Sequence, residues 1–151
     1  MGRRRVFTIG HSTRSEAEFL SLLRAHAVQV VVDVRRFPTA RCQHFSRDQL
    51  ARILASQGLR HFWLGHYLGG YRPGGYEEWM KTREFQRGLS FLETVASRRT
   101  TAIMCAEKLF FRCHRRFIAD ALTAHGWEVI HIVDDTRWQV HRLRLDQPTL
   151  L

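Results

Sequence analysis

The stretch Val28-Gln29-Val30-Val31-Val32-Asp33-Val34 constrains this chain more than any other. β-Branched residues at nearly every position favour extended backbone. A strand with one wet face alternates apolar and polar residues, and this run does not. A strand apolar throughout is covered on both faces, as in a parallel sheet with helices above and below. Helices must therefore flank it.

The sequence supplies them. Arg5-Val6-Phe7-Thr8-Ile9-Gly10 reads as a first strand stopped by glycine. Thr13-x-x-Glu16 and Ser15-x-x-Glu18 both have capping-box form, and Phe19, Leu22, Leu23 and His26 follow at helical spacing. After the valine strand and Pro38, Ser46-x-x-Gln49 opens a second helix through Leu50, Ile53 and Leu54, with Gly58 as its stop. Leu59 to Leu64 reads as a third strand. Gly65 to Gly75 reads as a long glycine-tyrosine loop, a kind of segment that is often functional. A helix from about Thr82 to Ser97 presents Phe85, Leu89, Leu92 and Val95 on one face. Thr100 to Cys105 is a strand, Cys113 to His125 a helix, Glu128 to Val133 a strand, and the tail after Asp134 is polar and weakly patterned. The expectation is one α/β domain over residues 1–151, with a mostly parallel sheet and helices on both faces.

Composition narrows the setting. No apolar run approaches the roughly 20 residues that span a bilayer, so no membrane partner is expected. The basic start Met1-Gly2-Arg3-Arg4-Arg5 is followed only by Val6-Phe7-Thr8-Ile9, shorter than the apolar core of an export signal, and a cytoplasmic location is expected. The three cysteines, Cys42, Cys105 and Cys113, are then expected as reduced thiols. A net charge of +10 favours acidic partners: an anionic small molecule or a nucleic acid. Of the cationic side chains only Lys81 and Lys108 are lysines, so the charge equally suits the codon bias of a GC-rich genome.

Parallel strands joined by crossovers share one C-terminal edge, where ligands of open α/β sheets bind. That rule groups His11-Ser12, Asp33-Val34-Arg35-Arg36, Cys105-Ala106-Glu107 and the following Cys113-His114-Arg115. Together with Thr8-Ile9-Gly10, Pro38, Phe45, Leu68-Gly69-Gly70, Met104 and His131-Ile132, these residues resemble the domain-of-unknown-function 488 family of α/β proteins from about Thr8 to Ile132. The resemblance implies that the motifs form one unit. It carries no reaction with it.

The residue types carry several chemistries. His11, Asp33 and Glu107 are candidate proton-transfer groups, and Cys105 is a candidate nucleophile or a structural wall. Ser12, Arg35, Arg36, Cys113, His114 and Arg115 are candidate substrate-binding residues, since arginine suits phosphate and carboxylate. The bland readings stand beside these: Asp33 pairing with a nearby arginine, Ser12 or Thr13 capping a helix, and Cys113 packed beneath one. Cys105 with Lys108, Arg112, Arg115 and Arg116 resembles a phosphatase or rhodanese loop, but Arg112 comes one residue too late and the loop lacks glycine. Cys105, Cys113 and His114 are zinc-ligand types at a spacing that fits no common zinc pattern, and neither a metal nor a cofactor is expected. The tyrosines of the glycine loop suit a lid or a base-stacking platform. The leading expectation is an enzyme acting on a nucleotide or nucleic-acid-related anion. A non-catalytic nucleic-acid-binding module and a small zinc protein are the alternatives.

Overall fold

The computed structural model describes residues 4–39 and 43–143; the start of the basic N-terminal run, Cys42 and the end of the polar tail lie outside them. Strands β1 (Arg5–Gly10), β2 (Val30–Asp33), β3 (Arg60–Trp63), β4 (Thr101–Cys105), β5 (Glu128–Ile132) and β6 (Trp138–Val140) form one sheet in the order β3-β2-β4-β1-β5-β6. The first five are parallel, as the valine run requires, and β6 adds an antiparallel edge. β6 comes from the weakly patterned tail. A turn places it there: the Asp134 carboxylate accepts from the backbone N–H groups of Thr136 and Arg137 and from the Arg137 guanidinium.

Helices α1 (Glu16–Ala25), α2 (Arg47–Ser56), α3 (Gly65–Leu68), α4 (Tyr76–Trp79), α5 (Arg83–Arg98) and α6 (Arg115–Ala124) connect the strands. Two start as their caps direct. The Ser15 hydroxyl accepts from the Glu18 N–H at 3.1 Å, and the Thr82 hydroxyl accepts from the Phe85 N–H at 3.2 Å. Of the capping candidates Ser15, not Ser12 or Thr13, takes the cap, and Ser12 occupies the left-handed region at φ 46°. Ser46 stands at the head of α2, but its hydroxyl donates back to the Gln43 carbonyl instead. The expected glycine-tyrosine loop contains α3.

Strand alternation sends successive side chains to opposite faces. On one face Val30, Val32, Ile103 and Cys105 pack with Leu68, Leu89, Leu92, Ile118 and Leu122 of α3, α5 and α6. On the other, Ile9, Val31, Ala102 and Met104 pack with Phe19, Leu23, Leu50 and Leu54 of α1 and α2. At about 25 cal/mol per Å2 of apolar surface, these two buried layers are the main favourable term in folding.

The segment after β4 crosses the end of β1. His11 and Ser12 donate their N–H groups to the carbonyls of Cys105 and Ala106 at 2.8 and 2.9 Å. Gly10 permits this approach, since a Cβ there would stand 1.8 Å from the Glu107 carbonyl oxygen.

Candidate functional site

A cleft of about 880 Å3 opens at the C-terminal edge of the sheet. Its walls come from the segment after β2 (Arg35–Thr39), from Gly70, Tyr71 and Tyr76, and from residues between Cys105 and Phe117. Of the residues expected at a site, Arg35, Arg36, Cys105, Glu107, Cys113 and His114 line it. His11, Ser12, Asp33 and Arg115 do not.

Register explains part of this division. Asp33 pairs with Met104, whose side chain faces α1 and α2, whereas Cys105 faces α5 and α6. The sheet therefore separates two groups that the strand-end rule placed together.

On the α1–α2 side, Asp33 is fully buried. Its Oδ1 accepts from Arg35 Nε at 2.9 Å and its Oδ2 from Arg35 Nη2 at 2.7 Å, and the Arg35 backbone N–H adds a third bond at 3.0 Å. The remaining guanidinium nitrogen, Nη1, donates to the Phe45 carbonyl at 2.6 Å and faces His11 Nε2 at 3.3 Å. His11 Nδ1 lies 3.0 Å from the Ser12 carbonyl, an acceptor, so the proton is on Nδ1 and Nε2 is the acceptor. Burial, and next to it the Arg35 charge, outweigh the Ser12 bond and bring the His11 pKa down to about 4. This cluster anchors the loop after β2.

On the α5–α6 side lie two thiols. Cys105 Sγ and Cys113 Sγ are 3.0 Å apart. Cys105 is buried to 2% exposure; Cys113 is half-buried and faces the cleft. Cys113 Sγ also lies 3.5 Å from His114 Nδ1 and 3.4 Å from the Arg115 backbone N–H at the start of α6. Hydrogen bonding from Cys105, above all, then from His114 and the Arg115 N–H, outweighs burial and draws the Cys113 pKa well below the usual thiol value. Burial, reinforced by the bond to Cys113, pushes Cys105 up. These directions favour a protonated Cys105, 3.6 Å from the Glu107 carbonyl as well, beside a Cys113 thiolate.

His114 is held by its far side. Nε2 donates to the Val34 carbonyl at 2.9 Å, leaving Nδ1 toward Cys113. Gly70 lets the loop close over this ring, since a Cβ there would be 3.1 Å from His114 Nδ1. Tyr76 packs its ring 5.5 Å from both His114 and Phe117, and its hydroxyl donates to the Leu68 carbonyl at 2.7 Å.

Arg115 lies behind the cleft, fully buried. Its Nη2 donates to the Glu107 and Lys108 carbonyls at 2.6 and 3.1 Å and thereby shapes the loop after β4. Its Nη1 donates to Thr8 Oγ1 at 2.9 Å. From there the bonds continue with one polarity. Thr8 donates to His131 Nδ1 at 2.6 Å, His131 Nε2 to His141 Nδ1 at 2.9 Å, and His141 Nε2 to the Asp120 carboxylate at 2.7 Å. Phe110 stacks on His131 at 3.7 Å, and burial drives the His131 pKa far below the usual histidine value.

Arginines and a tyrosine noted from the sequence, with two phenylalanines it did not single out, complete the cleft. Arg112 and Arg116 join Arg36 as cations, and Phe37, Tyr71 and Phe111 expose aromatic rings, Tyr71 to 86%. The Arg36 guanidinium donates to the Tyr71 carbonyl and ties two walls together. The sequence signal for Phe37 was a bulky aromatic between Arg36 and Pro38 in a loop. Among the described residues no group of three or more histidine, cysteine, aspartate or glutamate side chains is placed to hold a metal ion. Among the same residues no helix is long and apolar enough to cross a membrane.

The family model described as Domain of unknown function DUF488 matches residues 15–122, more than half of the chain. The chain belongs to the DUF488 family. The matched span holds Asp33, both cleft cysteines, Glu107 and His114; His11, Ser12 and His131 of the resemblance fall outside it. No curated protein and no solved structure matches this DUF488 chain.

Proposed function

We propose that the cleft is the active site of a thiol enzyme that acts on an anionic substrate related to nucleotides or nucleic acids. The observation that carries this reading is the Cys113–His114 pair: a cleft-facing thiol 3.5 Å from an imidazole nitrogen whose orientation the Val34 carbonyl fixes. With its proton on Nδ1, His114 holds the thiolate; without it, the same nitrogen accepts the thiol proton. Arg36, Arg112 and Arg116 supply the charge that draws an anion, and Phe37, Tyr71 and Phe111 supply faces on which a base stacks. Glu107 is the carboxylate of the cleft. The nucleophilic part, assigned from sequence to Cys105, fits Cys113 better, because Cys105 is buried and retains its proton. Arg115, expected to bind the anion, instead fits a role in shaping the loop.

The test is alkylation of Cys113 by iodoacetamide, followed by peptide mass spectrometry, with and without nucleoside diphosphates or a short single-stranded oligonucleotide. Labelling at pH 6 far faster than that of a free thiol, slowed by the anions in a saturable way, is the expected result. Slow labelling, or labelling indifferent to every anion, overturns the proposal.

A further inference from the structure

Cys105 has no part in the reaction proposed above, yet it touches the nucleophile. Two sulfur atoms 3.0 Å apart are already in contact and need to approach by only about 1 Å to form a disulfide. They also differ in access, as a dithiol exchange pair requires: Cys113 is half-buried and faces the cleft, whereas Cys105, on the cleft floor, is only 2% exposed. An incoming disulfide therefore meets Cys113 first, and only Cys113 can meet Cys105. The Cys105 proton and the Cys113 negative charge share one hydrogen bond, so the second thiol is held protonated until the first is consumed.

We infer that Cys105 and Cys113 act as an exchange pair that reduces small anionic disulfides in this cleft and closes on a Cys105–Cys113 disulfide. The inference rests on the reading of Cys113 as the nucleophile of the cleft. The steps balance. The Cys113 thiolate attacks one sulfur of the disulfide; a Cys113–substrate disulfide forms and the first substrate thiolate leaves. The negative charge that held the Cys105 proton is then gone. Cys105 passes that proton to the departing thiolate and attacks Cys113 Sγ. The second substrate thiolate leaves. The disulfide is reduced to two thiols, one of them ionised, and the protein dithiol is oxidised. The chemical class follows from the rim: Arg36, Arg112 and Arg116 favour a disulfide carrying carboxylates, and oxidised glutathione is such a compound. Closure also consumes the Cys113 thiolate, so oxidation switches off the nucleophile of the proposed enzyme.

The experiment treats the fully reduced chain, in a Cys42→Ser background, with oxidised glutathione and reads intact mass and cysteine-containing peptides. The expected result is a loss of two hydrogens with a Cys105–Cys113 linkage and release of two glutathione molecules per chain. Cys105→Ser then stops at a glutathionyl adduct on Cys113, and Cys113→Ser gives neither product. A wild-type chain that stops at the Cys113 adduct overturns the inference and leaves the proposed nucleophile standing. So does a Cys113 that iodoacetamide labels rapidly and oxidised glutathione leaves untouched. A Cys113 inert to both reagents overturns both readings. Cys105 and Cys113 are both intact in the Cys42→Ser chain, and peptide mapping locates the same linkage in the unmutated chain, so poor folding of a serine variant cannot mask the outcome.

Discussion

His114 Nε2 lies 2.9 Å from the carbonyl oxygen of Val34, the residue that follows β2. Because a carbonyl only accepts, this bond fixes the ring so that Nδ1 faces Cys113. The end of one strand thus orients the group beside a thiol from a distant part of the chain.

Removal of that group has a direct readout. Hydrogen bonding from Cys105 and His114 holds the Cys113 pKa below the usual thiol value, so its alkylation rate, corrected for the reagent, should rise less between pH 6 and 8 than that of a free thiol. His114→Ala withdraws one of the bonds to the thiolate, and the midpoint rises by about 1–2 pH units. A rate–pH profile identical to that of the wild type would show that His114 does not hold the thiolate.

Acid sensitivity follows from the buried histidines. Burial lowers the folded-state pKa of His11 to about 4 and that of His131 further, whereas both titrate near 6.5 when unfolded. Their stabilising share is complete above pH 6.5 and declines as pH falls toward 4, by up to about 1.4 kcal/mol per pH unit for each proton. The depressed Cys113 pKa acts in the same direction. Urea unfolding at pH 7, 6 and 5 should show the decline, and His11→Asn should make it shallower. Constant stability across this range would contradict the buried neutral state.

The bonds from Arg115 to Asp120 predict a large effect from a small change. Thr8→Val keeps the side-chain shape but leaves Arg115 Nη1 without its acceptor and His131 Nδ1 without its donor. Each orphaned group costs about 1–3 kcal/mol. Denaturant unfolding should report a loss of at least 1 kcal/mol, and a smaller change would mean that water replaces the hydroxyl.

Two glycines should respond differently to alanine. At Gly10 the new Cβ meets the Glu107 carbonyl at 1.8 Å, and backbone must move. At Gly58 it meets nothing within 4 Å, and only its φ of +72° opposes it. We expect Gly58→Ala to cost about 1 kcal/mol and Gly10→Ala several times as much, read by thermal unfolding. Equal losses would contradict the close crossing of β1 by the loop after β4.

Much of the fold was legible because its signals are local. The valine run states that β2 is covered on both faces, and Thr82 with Phe85, Leu89 and Leu92 states where α5 begins and which face it buries. Capping was legible only to within a few residues: Thr13 and Ser15 carry equivalent patterns, and the turn at Ser12 decides between them. β6 was not legible. Its residues are exposed and short of pattern, and it is a strand only because β5 offers it an edge.

The same distinction holds for the site. The sequence by itself determined which chemical groups gather at the strand C-terminal edge, because crossover connections leave no other place for Asp33, Cys105 and their neighbours. Only the tertiary structure decided that Asp33 and Cys105 lie on opposite faces of the sheet, that Asp33 is occupied by Arg35, and that Cys105 meets Cys113. Side-chain direction alternates with every residue of a strand, so the face a residue takes depends on pairing register, and register is set by contacts between segments far apart in the chain.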